Sequence, residues 1–227
     1  MAWDKYRVAP PNNEKTGLPE LEEGRADTMG YRSAIIGTIV PLINALIGYL
    51  LAYLIYYFGD SDAYDLKRIA LEAFDGQWLL LGLIIFQLVV QYMNSYPTRF
   101  KERFMHFMGN LRSNPFIYQE ATAPSGEATA IIMAEDGDIG AYNRGNRALH
   151  HFLENSLPLA ISLPVAGFLY PFPTFVLLCV FCVGCLVYQA GYANRGFGGH
   201  LPGFMIRLIS TNMVTGLLII AYTKMVI

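Results

Sequence analysis

The sequence predicts an all-α membrane protein whose helices cross the bilayer five times. Of its 227 residues, 54% are hydrophobic and only 15% are charged, a balance typical of integral membrane proteins rather than of soluble domains. Five apolar runs follow a polar tail, and a bilayer-spanning helix needs about 20 such residues. The net charge of −2 gives no reason to expect nucleic acid as a partner.

The first elements in chain order are a tail and two membrane helices. Residues 1–32 mix proline, asparagine, glutamate and glycine and predict an irregular tail. Residues 33–58 carry no charge and predict an additional N-terminal span. The acidic linker 59–75 predicts a short interfacial helix, and residues 76–98 predict the second span, which ends in a basic stretch.

Three further spans follow a long connection. Residues 109–146 are polar and predict a loop. The spans are expected at about residues 147–170, 174–192 and 203–223, since Pro171 and its neighbour Pro173 divide an apolar stretch too long for one helix. Two internal prolines should bend the first of these three helices.

The distribution of basic residues predicts the orientation of the chain. With five spans, one side carries five Lys or Arg in the tail, six in residues 94–148, and Arg195. The other side carries only Lys67, Arg68 and Lys224. Because cytoplasmic loops are enriched in Lys and Arg, the N-terminus is expected in the cytosol, or in the matrix of a mitochondrion.

This topology also gathers distant polar residues at one membrane face, which we call the basic rim. The end of the second span, the start of the third, the end of the fourth and the start of the fifth all fall there. Ionisable groups are costly at such positions, so by default they indicate a functional site. The rim residues of interest are Arg99, Lys101, Arg103, Arg147, His151, Glu154, Asn155, Tyr188, Tyr192 and Arg207.

The start of the third span carries the strongest signal. Arg147, His151, Glu154 and Asn155 are spaced i, i+4, i+7 and i+8, so they share one helical face. One interpretation is an anion site in which Arg147 binds a carboxylate and Glu154 accepts from an ammonium group. The other is contact between neighbouring helices, with Glu154 paired to an arginine.

The remaining candidates also have two interpretations. Tyr188 and Tyr192, at i and i+4, suit either a ligand site or the aromatic belt of a membrane protein. Arg99, Lys101 and Arg103 suit interfacial anchoring, or attraction of an anionic ligand. The three cysteines lie on one apolar segment without a fourth metal ligand, so they are interpreted as packing residues and no metal is expected.

The run Arg147-x-x-x-x-x-x-Glu154-Asn155-x-x-Pro158, followed by Tyr188-x-x-Gly191-Tyr192, resembles the MAPEG family of membrane proteins of eicosanoid and glutathione metabolism. The resemblance covers about residues 78–226. It implies a MAPEG-like four-helix transmembrane domain over residues 76–226, to which the first span is an addition. It also implies a homotrimer that binds glutathione between protomers.

The family's ligand residues can be carried over by position. Arg147 would meet the glutathione carboxylate and Glu154 its amino group. His151 and Asn155 lie on the same face. The other matching positions are the two ligand tyrosines, Tyr188 and Tyr192, and the basic end of the family's first helix, Arg99 or Arg103.

Three features depart from the family pattern. His151 stands where the family usually has asparagine, and Cys185 stands where it often has arginine. The arginine that stabilises the glutathione thiolate has no match at the usual spacing, and the nearest candidates are Arg195, His200 and Arg207. Of these, Arg195 and Arg207 are the predicted catalytic residues.

The resemblance therefore implies an enzyme of the glutathione transferase or peroxidase type, with glutathione as co-substrate and lipophilic electrophiles or lipid hydroperoxides reaching it from the bilayer. The alternative is an accessory subunit of a larger membrane complex, for instance a mitochondrial one, that keeps the bundle without the chemistry. Either protein would be expected in the endoplasmic reticulum or in a mitochondrial inner or outer membrane.

Overall fold

The structure, a computed structural model, describes residues 25–104, 114–122, 126 and 128–227. These residues form seven helices and one two-stranded antiparallel hairpin. In chain order the elements are α1 Arg25–Phe58, α2 Ser61–Glu72, α3 Gln77–Ser95, α4 Thr98–Phe104, β1 Tyr118–Thr122, β2 Ala128–Met133, α5 Gly137–Leu169, α6 Pro171–Arg195 and α7 Leu201–Val226.

Five segments in this part of the chain are long and apolar enough to cross a membrane, which confirms the predicted number. They are Thr38–Phe58, Gln77–Lys101, Gly137–Leu169, Pro171–Arg195 and Leu201–Val226. The protein therefore belongs to the class of multi-pass helical membrane proteins. Long apolar side chains on the outer faces of these helices stay exposed, as expected for surfaces that contact lipid tails rather than water.

The last four spans pack side by side, and α6 lies against each of the other three. Their common core is built from interlocking large side chains, including Phe86 on α3, Phe152 on α5 and Phe181 on α6. The rings of Phe152 and Phe181 both pack against Phe86, with centroid separations of 6.4 and 6.3 Å. The bundle is thus centred on α6, the helix whose surroundings decide the position of the candidate site.

Helix α1 packs on the outside of this group, against α3 and α4. Arg99 of α4 donates from Nη2 to the Thr38 hydroxyl at 3.1 Å. Its guanidinium also lies over the rings of Tyr92 and Tyr96, 4.9 and 4.8 Å from their centroids. Arg99 therefore links α1 to α3 and to the helix turn that follows it.

The linker forms the short helix α2, as predicted. Its first turn is capped by the Asp60 carboxylate, which accepts from the Ala63 N–H at 3.1 Å. The Tyr56 hydroxyl of α1 donates to Asp65 at 2.9 Å. This hydrogen bond, together with Arg68, holds the pKa of the Asp65 carboxyl below its ordinary value. These contacts tie α2 to the end of α1 opposite Thr38.

Two predicted boundaries are wrong. Helix α1 begins at Arg25 rather than at Ser33, so the last residues assigned to the irregular tail are helical. The polar connection 109–146 contains the β1–β2 hairpin, and α5 begins at Gly137 instead of Arg147. Residues 1–24 and most of the connection before the hairpin lie outside the described residues. Helix α5 continues through both internal prolines.

The physical reason for the second error is that polar residues of α5 are buried by protein. Asn143 is fully buried and accepts from the Ile117 N–H at 2.9 Å. Its amide donates to the carbonyls of Ile117 and Ala134 at 2.7 and 2.8 Å. The Asn143 side chain thus holds the residues just before β1 and just after β2 against α5. Buried polar groups need such partners, so a polar pattern here indicates an inward face, not a loop.

Replacing Asn143 with alanine is expected to release the hairpin from α5. Three hydrogen bonds would be lost, at roughly 1 kcal/mol each, and their backbone partners would be left without the amide. Amide hydrogen exchange of residues 117–134 should become much faster, while exchange in α6 stays slow. Gln119→Ala, an exposed change in β1, is the matched control. Equal protection in the two variants would contradict the assignment.

Candidate functional site

The basic end of the bundle brings α5, α6 and α7 together around one cluster, here called the rim cluster. Its members are His151 and the Arg147–Glu154 pair on α5, Tyr188 and Tyr192 on α6, His200 at the N-terminus of α7, and Phe204 and Arg207 on α7. Most of the candidate residues that the sequence identified lie in this cluster, although they come from three separate helices.

Small residues allow α6 and α7 to approach closely at this end. A Cβ atom on Gly203 of α7 would lie 2.2 Å from the Tyr188 nitrogen, and one on Gly191 of α6 would lie 2.0 Å from the oxygen of Gly199, in the turn before α7. A Cβ on Gly184 would lie 2.9 Å from the Arg207 nitrogen. The two backbones are therefore in direct contact, as in membrane helix pairs that meet through glycine. This contact places Arg207 against Tyr188.

Arg207 is the central residue of the rim cluster. It is 3% exposed, and its guanidinium lies 4.9 Å from the ring centroid of Tyr188 and 5.9 Å from that of Phe204. Its Nη2 atom is 2.8 Å from His151 Nδ1. Its Nη1 atom is buried and has no oxygen or nitrogen partner among the described residues, and the neighbouring Cys185 sulfur is at most a weak acceptor. A buried cation with a spare donor is suited to binding an anion.

Aromatic rings surround this cation. The His151 ring stacks on Tyr188 with a centroid separation of 4.9 Å and an interplanar angle of 5°. His200 meets Tyr188 and Tyr192 edge-on, at 5.4 and 5.5 Å. The buried Nδ1 atom of His200 has no hydrogen-bond partner among the described residues. The two tyrosines thus face the interior of the cluster, whereas residues of a simple aromatic belt would face the lipid.

Arg147 and Glu154 form an ion pair with each other. The Arg147 Nη1 and Glu154 Oε1 atoms are 3.2 Å apart, and the side chains are 45% and 56% exposed. Glu154 is therefore paired to an arginine, as the structural interpretation expected, but within one helix rather than between helices. Because both side chains remain half exposed, the pair is also accessible to a ligand. Two guanidiniums against one carboxylate leave the rim cluster with net positive charge.

Three predicted site residues have other surroundings. Asn155 donates to the backbone carbonyl of His151 at 2.7 Å, within its own helix. Arg99 contacts α1, as described above. Arg195 is exposed at the end of α6. Of the two predicted catalytic arginines, only Arg207 lies within the rim cluster. The predicted functional roles of all three residues stay predictions.

Two further polar side chains link α5 to α6. Gln189 of α6 is fully buried and donates to the Gly145 carbonyl at 2.8 Å. Arg144 donates to the Ala193 carbonyl at 3.2 Å and also to the Glu135 carbonyl, so it holds the C-terminal turn of α6. Sequence reasoning missed these residues. Their polarity inside a membrane-proximal helix was the available signal.

The three cysteines lie on α6, and Cys185 is next to Arg207. Cys182 and Cys185 are buried in the common core, Cys179 is partly buried, and all three are free thiols. Among the described residues, no group of three or more histidine, cysteine, aspartate or glutamate side chains is placed to hold a metal ion.

Comparison with known proteins adds no relative. The chain matches no protein-family model, no curated protein and no solved structure. The resemblance to the MAPEG family therefore depends on the motif residues of α5 and α6 alone. The class that fold and site define is a multi-pass helical membrane protein with a buried cationic cluster at one end of its bundle.

Proposed function

We propose that this protein binds glutathione at the rim cluster and acts as a glutathione transferase or peroxidase on lipophilic substrates. The observation that carries the proposal is the buried Arg207 guanidinium, whose Nη1 atom lacks an oxygen or nitrogen partner among the described residues, beside the half-exposed Arg147–Glu154 pair. Glutathione offers complementary groups, since it has an amino-acid end with both charges and a thiol that can become an anion.

The amino-acid end of glutathione can replace the ion pair without leaving a charge alone. Its carboxylate would take the place of Glu154 on Arg147, and its ammonium group would take the place of Arg147 on Glu154. Because two ion pairs replace one, each charged side chain keeps a partner of opposite charge. A ligand with only one charge would leave either Arg147 or Glu154 uncompensated, so the pair selects for a zwitterion.

The thiol end would lie near Arg207. A guanidinium next to a thiol favours its anion, and the thiolate is the nucleophile. In the transferase reaction, the thiol loses its proton to solvent, the sulfur forms a bond to an electrophilic carbon, and the leaving group departs with its electron pair. Arg207 is covered by Tyr188 and Phe204, so these rings must shift when the ligand binds.

The arrangement suits one polar and one apolar substrate. Glutathione would enter from the water at the basic rim, and the second substrate from the bilayer between helices. We propose that the N-terminus and the rim face the cytosol or the mitochondrial matrix, in the endoplasmic reticulum or a mitochondrial membrane, because the basic residues concentrate there. A homotrimer would place a second copy against the exposed face of α5.

Calorimetric titration of the protein with glutathione in lipid nanodiscs tests the proposal. Arg147→Ala is expected to lower the affinity by roughly 30- to 100-fold, since charge-assisted hydrogen bonds contribute about 2–3 kcal/mol. Arg68→Ala is the matched control because Arg68 also forms exposed ion pairs, with Asp65 and Glu72 on α2. Absence of glutathione binding in the unmodified protein, or equal binding in both variants, would reject the proposal.

One observation favours the alternative of an accessory subunit. Arg147 and Glu154 neutralise each other without a ligand, so this ion pair is complete as a structural element. An accessory subunit would also use α1 and the hairpin, which lie outside the four packed spans, as contact surfaces. Native mass measurement of particles extracted from the source membrane separates the two, since a homotrimer supports the enzyme and a stoichiometric hetero-complex supports the subunit.

A further inference from the structure

The contact between Arg207 and His151 determines where the histidine proton lies. A guanidinium carries only N–H donors and cannot accept a hydrogen bond. Arg207 Nη2 lies 2.8 Å from His151 Nδ1, so Nδ1 must present its lone pair. In the neutral ring the proton is then on Nε2. A protonated ring would direct an N–H at a cation and lose this hydrogen bond.

The contact between Arg207 and His151 also determines how His151 responds when an anion binds to Arg207. The titratable and charged groups around His151 are Arg207 and His200 from α7 and Arg147 and Glu154 from its own helix, and Tyr188 of α6 stacks on its face. The Arg207 guanidinium donates to the ring nitrogen that a second proton would occupy. An anion on Arg207 would offset the cationic charge and make room for a proton on the ring.

We propose that His151 is a positioning residue that couples anion binding at Arg207 to proton uptake. The inference builds on the proposed function, but it concerns the regulation of the site rather than the identity of its ligand. With neutral His151, Arg207 is held against the histidine. With protonated His151, Arg207 loses that acceptor and its Nη2 atom joins Nη1 as a donor to the anion. Coupling of this kind is reciprocal.

The direction of the pH dependence follows from the charge on the His151 ring. A proton on His151 adds a positive charge next to the anion and frees a donor, so anion affinity rises as the pH falls through the titration of the histidine. We expect about a tenfold higher affinity at about pH 5.5 than at about pH 7.5, the change that corresponds to one unit of displacement in a titration. About half a proton should be taken up per anion at intermediate pH, which is the most that a one-unit displacement allows.

Two probes separate this coupling from glutathione recognition. Inorganic sulfate tests the cation alone, and glutathione sulfonate tests the whole ligand without a titrating thiol. Both are titrated calorimetrically into the full-length protein in nanodiscs, in buffers of different ionisation enthalpy, so that proton uptake is measured with affinity. His151→Asn removes the titrating ring while keeping an acceptor, and His151→Gln is a second variant if the first does not fold. His150→Asn, at the neighbouring exposed position, is the control.

The proposal expects pH-dependent binding and proton uptake in the unmodified protein and in His150→Asn, and neither in His151→Asn. If sulfate shows this pattern and glutathione sulfonate binds no better than sulfate, glutathione recognition fails and the coupling stands. If glutathione sulfonate binds with the same pH dependence in His151→Asn, His200 carries the proton and the coupling is wrong. If neither probe binds, both proposals fail.

A measurement without ligand gives an independent answer. Nitrogen-15 resonances of the histidine rings distinguish the two neutral forms. His151 is expected in the Nε2–H form in the unmodified protein, and Arg207→Met should populate both forms because the donor to Nδ1 is gone. A His151 ring that carries its proton on Nδ1 in the unmodified protein would overturn the proposal.

Discussion

Replacing Arg207 with methionine is expected to abolish glutathione binding without unfolding the protein. Arg207 is 3% exposed, and no carboxylate among the described residues lies within ion-pair distance of it. Replacing a buried charge by an apolar side chain of similar volume is often neutral or stabilising. The lost hydrogen bond to His151 costs about 1 kcal/mol, which sets the largest destabilisation expected.

The affinity for glutathione should fall far more than the stability of the fold. Loss of the guanidinium removes the donor for the ligand thiolate, and we expect at least a 100-fold lower affinity, or about 3 kcal/mol. Calorimetry and thermal unfolding on the same preparation measure both quantities. Arg195→Met tests the other predicted catalytic arginine, which is exposed, and is expected to change neither quantity.

Two contrary results would change the roles assigned to Arg207 and Arg195. If Arg207→Met lowers the unfolding temperature strongly while the protein still binds glutathione, Arg207 is structural and the proposed function loses its main support. If Arg195→Met removes binding instead, the thiolate lies toward the end of α6 and the catalytic assignment moves to Arg195.

The second large effect is expected at the contact between α6 and the turn that leads into α7. Gly191→Ala would place a Cβ atom 2.0 Å from the Gly199 oxygen and 2.9 Å from its carbonyl carbon. Both atoms are backbone, so no side chain can turn aside and the turn must move away from α6. Overpacking of a close contact costs roughly 1–3 kcal/mol or more, and we expect a loss of about 3 kcal/mol here.

A matched control exists in the same helix pair. At Gly216 of α7, an added Cβ atom meets nothing within 4 Å. Gly216→Ala should therefore be neutral or stabilising by up to about 1 kcal/mol, since alanine favours a helix over glycine. Denaturant titration in detergent micelles measures the difference. If the two variants unfold together, α6 and the turn before α7 are not in backbone contact at Gly191.

Displacement of this turn should also reduce ligand binding. The turn carries His200, which contacts Tyr188, and it leads into α7, where Arg207 lies over the Tyr188 ring. Gly191→Ala protein that remains folded should thus lose affinity for glutathione, although Gly191 itself has no group that binds it. Gly216→Ala should retain the affinity.

Part of the candidate site could be predicted from the sequence. The loop charges placed the ends of four spans at one face, and the spacing of Arg147, His151 and Glu154 placed them on one side of α5. The structure brings these residues near Tyr188 and Arg207. It assigns other contacts to Arg99 and Asn155, because spacing reports which residues share a face and not which neighbour that face meets.

The errors in the connection 109–146 have a different origin. Polar residues such as Asn143 indicate contact with water when the chain is treated locally. They are buried because the hairpin covers the first turns of α5 and supplies backbone partners. The same holds for Gln189, whose partner is the Gly145 carbonyl of another helix. No local pattern records a hydrogen bond between segments far apart in the chain.

The sequence by itself determined that this protein is helical and crosses a membrane five times, since length and hydropathy suffice when the solvent is a bilayer. It also determined which polar residues can share a face. Only the tertiary structure decided that Arg207 lies against His151 and Tyr188, and that Arg147 and Glu154 pair with each other. The contact between Arg207 and Tyr188 depends on how closely α6 and α7 approach, and that distance is set by backbone contact between Gly184 and Gly203 on the two helices.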